Sequence, residues 1–523
     1  MTRTVIIGGG IAGLATAALL AREGRQVTLL EANATLGGRA GLWESAGFRF
    51  DTGPSWYLMP EVFDHFYRLL GTSAAEQLDL RTLDPGYRLY FEGTSQPVDV
   101  AASREANIRL FESIEPGAGA ALERYLRSAE GAYRDAVERF LYTDFSSLAA
   151  IRSPGLGARV PALLRLLTQS LDTYVSRRFR DRRLRQILGY PAVFLGSSPF
   201  DAPALYHLMS HLDLADGVRY PQGGFRTLID SIARLARENG ALLLTGARVR
   251  AITTTSESPV SVTGVQVEID GSLQQIAADE VVSCADLHHT ETELLPAAQR
   301  TYPERWWRRR NPGPGAVLVM LGVRGRLPQL AHHTLVFTAD WRTNFARIFG
   351  ARPGVPEPAS FYVSMPSATD PSVAPADHES LFLLIPVPAD PSIGAGGLEG
   401  DGDAAVESAA DAAIDRLAQW AGIPDLRERI VLRRTVGPAD FASDLNAWQG
   451  GALGPAHTLR QSAFLRGSNR SHRVRGLSYA GGTTIPGVGL PMCLISAELQ
   501  LKRVRGEVAP GPVAVADAVA AES

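Results

Sequence analysis

Lysine is all but missing from this chain of 523 residues. Lys502 is the only one, and arginine makes up the rest of the 52 Lys and Arg. That excludes a lysine-dependent phosphate loop, and a Schiff-base lysine anywhere else. Cysteine is as scarce: Cys284 and Cys493 are too few for a disulfide framework or a zinc knuckle, which fits a reducing cytosol. A charge excess is lacking too. The net charge of −3 and a pI near 6.4 give no global reason to expect a nucleic-acid partner. Two uncharged runs, residues 4–21 and 476–497, reach bilayer length. Gly8-Gly9-Gly10 breaks the first, and Gly481, Gly482, Pro486, Gly487, Gly489 and Pro491 break the second. Such breaks would leave backbone groups unpaired in lipid, so no transmembrane segment is expected. No export signal is expected either, because the first run continues into a strand without a spacer.

Nucleophile and metal signatures are also missing. His207 and His211 have i, i+4 spacing, but no glutamate follows His207, so they are expected to be packed or surface histidines and no metal site is expected. The pairs His288-His289 and His332-His333 are adjacent and should point apart, so neither is assigned a catalytic role. There is no GxSxG elbow and no Cys–His pairing.

What is present begins at residue 4. A β-branched run to Ile7, an Ala/Leu-rich helical stretch over 11–23 and a second strand over 26–31 form a βαβ opening. Gly8-x-Gly10-x-x-Gly13 joins strand to helix. Gly8 permits the tight turn, Gly10 lets the backbone approach a pyrophosphate, and Gly13 lets the helix pack on the strand, with Ile11 and Ala12 at the helix N-terminus. Glu31 ends the second strand, placed to accept from an adenosine ribose and to disfavour a 2′-phosphate. Gly38-Arg39-Ala40 and Phe50-Asp51-Thr52-Gly53 follow; Arg39 can serve as a bidentate donor to pyrophosphate or ribityl oxygens. Val249 reads as a strand residue whose backbone clamps an adenine. Gly481-Gly482 and Gly489-Leu490-Pro491-Met492 introduce a C-terminal helix whose N-terminus can face a flavin pyrimidine. These features together indicate FAD.

The chain resembles the bacterial-type carotenoid desaturases, the phytoene desaturase family, from residue 1 to about 505. Interior blocks carry the resemblance: Phe194-Leu195-Gly196-Ser197-Ser198-Pro199, Tyr220-Pro221-Gln222-Gly223-Gly224, Val282-Ser283-Cys284-Ala285-Asp286, His332-His333-Thr334-Leu335-Val336-Phe337, Asp370-Pro371-Ser372-Val373-Ala374-Pro375 and Gly454-Pro455-Ala456-His457-Thr458-Leu459. Thr484-Ile485-Pro486-Gly487 departs from the His-Pro-Gly of many members, which bears on the substrate. The resemblance implies an α/β fold: a Rossmann-type FAD-binding domain of the amine oxidase or GDI-like kind, assembled from discontinuous segments. An inserted mixed α+β substrate domain and a helical region complete it. Residues 1–100, 217–300 and 456–505 are expected to form the FAD-binding part. Residues 101–216 are expected to be a mainly helical substrate or membrane region, 301–455 the substrate domain and 506–523 a disordered tail.

The implied activity is FAD-dependent desaturation of a long acyclic carotenoid precursor, phytoene towards lycopene, with hydride passing to flavin N5. Another carotenoid oxidoreduction (3,4-desaturation, isomerisation or ketolation) or a prenyl-lipid escort role is the alternative. Oxygen or a quinone would accept the electrons. No catalytic base is named, since cofactor positioning explains both Asp51 and Arg39. A C40 hydrocarbon, at about 0.8 kcal/mol per carbon, costs roughly 30 kcal/mol to place in water. That exceeds the ceiling of roughly 18–21 kcal/mol for non-covalent binding, so a cytoplasmic, peripherally membrane-associated enzyme is expected. Two segments are candidate anchors. One is the stripe Val160, Leu163, Leu164, Leu167, Leu171, Tyr174 and Val175 with Arg177, Arg178, Arg180, Arg182, Arg183 and Arg185, which reads equally as a core-facing helix with a solvated tail. The other is Trp306-Trp307 with Arg308-Arg309-Arg310.

Overall fold

The computed structural model describes residues 1–145 and 165–515. At its centre is the strand Arg3–Ile7, whose last four residues are buried on both faces, as an inner strand of a parallel sheet requires. The sheet has five parallel strands in the order Leu477–Tyr479, Glu280–Ser283, Arg3–Ile7, Gln26–Leu30, Leu242–Leu244. Three stretches of chain far apart in sequence thus build one Rossmann-type layer. The helix Ile11–Arg22 is buried from Ile11 to Ala21 because it packs against both Leu490–Arg505 and Phe225–Glu238. A Cβ on Gly13 would lie 1.9 Å from the Gly8 carbonyl oxygen, so only glycine lets this helix sit so close to the strand end.

A second sheet has seven strands in the order Ile430–Val436, Pro314–Arg324, His378–Pro388, Phe361–Ser364, His333–Phe337, Tyr87–Phe91, Val98–Val100. Alternation gives it two apolar faces. Val317, Val319, Leu321, Leu383 and Ile385 pack under the helix Ala404–Ala421, while Ala316, Leu318, Leu335, Phe337 and Leu384 face inward to a cavity. The strands Tyr87–Phe91 and Val98–Val100, within the segment 1–100 expected to be FAD-binding, thus pair into this second sheet. The reason is long-range: Tyr87–Phe91 pairs in parallel with His333–Phe337, a partner no local pattern reveals.

The tail expected to be disordered from 506 is mostly exposed where it is described but is tied down at two points, Gly511 and Val513. Lys502, the lone lysine, is buried and donates from Nζ to the carbonyls of Tyr142, Ala509 and Gly511 at 2.9, 2.5 and 2.8 Å. Val513 is buried, and its N–H donates to Glu498 at 2.6 Å.

Helices over Arg104–Asp135, and shorter ones over Leu171–Leu214, roof the cavity. Within them Asp213 is buried, accepting from Tyr190 Oη at 2.7 Å and Tyr87 Oη at 3.1 Å, and burial pushes its carboxyl up to about 7. An unfolded chain releases that proton near pH 4. From about pH 4 to 7 the native state holds a proton that the unfolded state has lost, so this group's cost to stability grows across that window and persists above it. Asp213→Asn should therefore raise stability by about 1–3 kcal/mol at pH 8 and change little near pH 4, as melting curves at the two pH values will read.

Candidate functional site

One cavity of about 1340 Å³ runs between the parallel sheet, the inner face of the second sheet and the helices. It is lined by Gly8, Gly10, Ile11, Ala12, Glu31, Gly38, Arg39, Gly53, Val249, Gly481, Gly482, Gly489, Pro491 and Met492, all named from the sequence. Gly13 and Asp51 are the exceptions. Gly13 is consumed by helix packing, as above. Asp51 caps a helix instead: its carboxylate accepts from the N–H groups of Phe225 at 2.7 Å and Arg226 at 3.2 Å. Burial raises that carboxyl to about 6, against the lowering effect of those two bonds.

The cradle end is built for a dinucleotide anion. Gly10 is the N-cap of the helix Ile11–Arg22 and has no side-chain cap, so the helix N-terminus opens on the cavity. Glu31 is buried, accepting from the N–H of Gly9 at 2.6 Å and of Asn33 at 2.8 Å while lining the cavity. Arg39 is anchored through Nε to the Ala452 carbonyl at 2.9 Å, but its Nη2 is buried without a protein partner. A buried guanidinium nitrogen left unpaired in a cavity wall is costly unless an anionic or polar ligand meets it. Gly489 likewise caps the helix Leu490–Arg505 without a side chain, giving a second open N-terminus. The strand Ala247–Thr254 slips register after Val249, where it lines the cavity. This donor set fits FAD: a buried carboxylate, an arginine with an unpaired donor, and two open helix N-termini.

Several residues that shape the site have no sequence signal. Arg466 is fully enclosed and donates to the carbonyls of Thr484 at 2.9 Å, Pro455 at 3.0 Å and Gly482 at 2.6 Å. It has no carboxylate partner among the described residues, and burial pulls its pKa down to about 10. Asn469 donates to Ile485 O at 2.8 Å, and Ser496 Oγ receives the Gly481 N–H at 2.9 Å. Together they clamp the 481–489 loop. Nothing in Arg-Gly-Ser-Asn distinguishes Arg466 from the other arginines.

Beyond Gly53 the cavity becomes an apolar arm, with Trp56, Phe194, Met209, Leu335, Phe337 and Trp341 among its walls. The histidines behave as the sequence reading expects for His207, which is buried against Ser128 Oγ and Ala204 O at 2.9 Å each. No metal-binding cluster occurs among the described residues. The rings of His332 and His333 do not point apart, however: His332 precedes the strand, and their centres lie 4.5 Å from each other.

The family model of flavin-containing amine oxidoreductases matches residues 11–500. A carotenoid 3,4-desaturase of Haloarcula japonica is 42% identical over 494 residues, covering 94% of this chain and 96% of its own. A zeta-carotene-forming phytoene desaturase of Myxococcus xanthus is 35% identical over 507 residues, covering 96% and 93%. The chain belongs to the carotenoid desaturase family of flavin-containing oxidoreductases. Among solved structures, a putrescine oxidase superposes with a TM-score of 0.60 at 14% identity, covering 97% of this chain and 99% of its own, which shows a common fold. FAD is the cofactor, and the chain is a flavin oxidoreductase acting on CH–CH bonds. An escort role without FAD is thereby set aside.

Proposed function

We propose that this enzyme desaturates a long acyclic carotenoid, phytoene towards lycopene or a related polyene. The observation that carries the reading is the single cavity with a dinucleotide cradle at one end and an apolar arm at the other. A polyene offers no carbonyl and no acidic proton, so shape and exclusion of water are what the protein can supply. When bound, FAD supplies the hydride acceptor. Glu31 would hold the adenosine ribose, Arg39 the pyrophosphate or ribityl chain, and the Val249 backbone the adenine. Gly10 would admit the pyrophosphate, and Gly481, Gly482 and Gly489 to Met492 would close over the pyrimidine. The wall from Trp56 to Trp341 would hold the reacting carbons near the flavin. Oxygen or a quinone would take the electrons onward. A second reading, 3,4-desaturation of an already coloured carotene, is favoured by the 42% identity to the Haloarcula enzyme. Chromatography of pigments from hosts making phytoene or lycopene decides between them: new double bonds in phytoene support the first, and change only in lycopene the second.

The substrate's insolubility calls for entry from a bilayer, and no helix among the described residues is long and apolar enough to cross one. Of the anchors expected from sequence, Trp307 is buried: it is 2% exposed and donates to Tyr302 O at 3.0 Å, with Trp306 packed edge to face beside it. The stripe is divided. Val160, Leu163 and Leu164 lie outside the described residues, whereas Leu171, Tyr174 and Val175 are core. Arg178 covers the Tyr174 ring and Arg183 pairs with Asp181, while Arg177, Arg180 and Arg182 are exposed. A better candidate is Leu459, Phe464 and Leu465, exposed by 48%, 68% and 41%; the first two also line the cavity. A bilayer seated there would meet the mouth of the apolar arm. Phe464→Ser with Leu465→Ser should cut recovery in liposome flotation severalfold at unchanged FAD content. Unchanged flotation would return the role to the arginines, whose contribution high salt would remove.

A further inference from the structure

Loss of hydride from an allylic carbon leaves a cation, and desaturation is complete only when a neighbouring carbon gives up a proton. The apolar arm holds little that could take it. Where the cradle meets the arm, two residues after Gly53, Ser55 Oγ lies 2.7 Å from Tyr362 Oη, and both line the cavity. Tyr362 Oη is in turn 2.7 Å from Nδ1 of His333, which is wholly buried under a stacked Trp56. The ring of His332 is 4.5 Å from that of His333, centre to centre, and His332 Nδ1 meets Thr369 Oγ1 at 2.7 Å. Thr369 is exposed. One hydrogen-bonded run thus starts at the cavity wall and ends at His333, another starts at His332 and ends at the surface, and the two rings pack edge to face between them. The Nε2 atoms of both histidines are buried without a protein partner. Such atoms are expensive to keep, and an apolar pair would have filled the space more cheaply.

We propose that Tyr362 is the proton acceptor of the desaturation, with His333 and His332 carrying the proton outward to Thr369 and solvent. The inference rests on the desaturase reading above. One substrate C–H bond breaks with both its electrons leaving as hydride to the oxidised flavin, which is thereby reduced. The adjacent C–H bond breaks with its proton going to Tyr362 Oη, and its electron pair becomes the new C=C bond. Tyr362 passes its own hydroxyl proton to His333 Nδ1 and is restored as a neutral phenol. The two imidazoles meet edge to face without a hydrogen bond between them, so the proton passes from His333 Nε2 to His332 through an intervening water. Burial holds both imidazoles neutral, His332 down to about 3 and His333 well below its ordinary value, so each is ready to accept. A base this weak suffices because a carbocation's neighbouring proton is strongly acidic. The other cavity-wall tyrosine–histidine pair is unsuited. Nε2 of His457 accepts the Val488 N–H at 3.2 Å, which fixes its proton on Nδ1, facing Tyr206 Oη at 3.0 Å, so it can only donate there.

The test is stopped-flow reduction of the FAD-loaded protein by phytoene or lycopene in liposomes, without an electron acceptor, in H₂O and D₂O. Tyr362→Phe removes one oxygen and keeps the ring; His333→Gln removes the relay base. Because the cation takes the hydride back unless its neighbouring proton leaves, both should retain FAD and substrate affinity yet show net flavin reduction about 100-fold slower. The solvent isotope effect of the unaltered protein should be lost in Tyr362→Phe, which a packing role would not cause. Reduction at the original rate with the isotope effect intact in Tyr362→Phe overturns the relay, whatever becomes of His333→Gln. Failure of the unaltered protein to be reduced by either carotene instead overturns the desaturase reading.

Discussion

Gly10→Val is expected to give a folded but colourless protein. At Gly10 an added Cβ would meet nothing nearer than the Gly37 carbonyl oxygen at 3.9 Å, and the backbone (φ −71°, ψ 176°) suits any residue. The protein itself has no quarrel with a side chain there. The branch would project into the cradle where a pyrophosphate has to approach the helix N-terminus, so FAD uptake should fall below detection while the melting temperature of the apoprotein barely moves. Three residues on, the outcome reverses. Gly13→Ala places a carbon 1.9 Å from the Gly8 carbonyl, backbone against backbone, so the helix must leave the strand and the domain should not fold. Flavin absorbance and circular dichroism on the two variants separate a ligand-contact glycine from a packing glycine. Flavin retained by Gly10→Val would refute the cradle.

The second large effect is expected at Arg466. Arg466→Met has nearly the right length and removes every donor. The carbonyls of Thr484, Pro455 and Gly482 then lose their buried partner. Each unsatisfied acceptor costs about 1–3 kcal/mol, while relief from burying a cation without a carboxylate returns part of that. A net loss of about 3–5 kcal/mol is expected, with weakened FAD binding because the 481–489 loop is what the guanidinium holds. Arg466→Lys should not rescue it, since three diverging carbonyls need the planar fork. Denaturant melts and flavin titration will read both effects.

These contrasts mark how far the sequence could be read. Gly8, Gly10 and Glu31 were legible because strand, turn and helix are contiguous, so local pattern alone puts them on one surface. Gly481 to Met492 were legible for the same reason at the other end of the chain. Asp51 stands apart from its motif neighbours, which line the cradle, because its carboxylate accepts from the N–H groups of Phe225 and Arg226, far away in sequence. The place of Tyr87–Phe91 in the seven-stranded sheet was not legible because its register is fixed by the distant His333–Phe337. Trp306-Trp307 read as an anchor by composition, yet Tyr302 and Trp448 close over Trp307. Adjacent histidines were set aside on the expectation of diverging side chains. That rule fails at 332–333, where the first residue stands outside the strand. At Asp51 and Tyr87–Phe91 what remained hidden is a long-range contact.

The measurement that bears most directly on the account is anaerobic titration of the FAD-loaded protein with phytoene, and separately with lycopene, in liposomes. The account expects one flavin reduced for each double bond formed, products absorbing at longer wavelength after each reoxidation, and no requirement for NAD. Reduction by phytoene identifies the lycopene-forming reaction; reduction by lycopene alone identifies 3,4-desaturation. Flavin that stays oxidised with every carotene, or a pure cis–trans conversion that proceeds only after the flavin has been reduced beforehand, would contradict it.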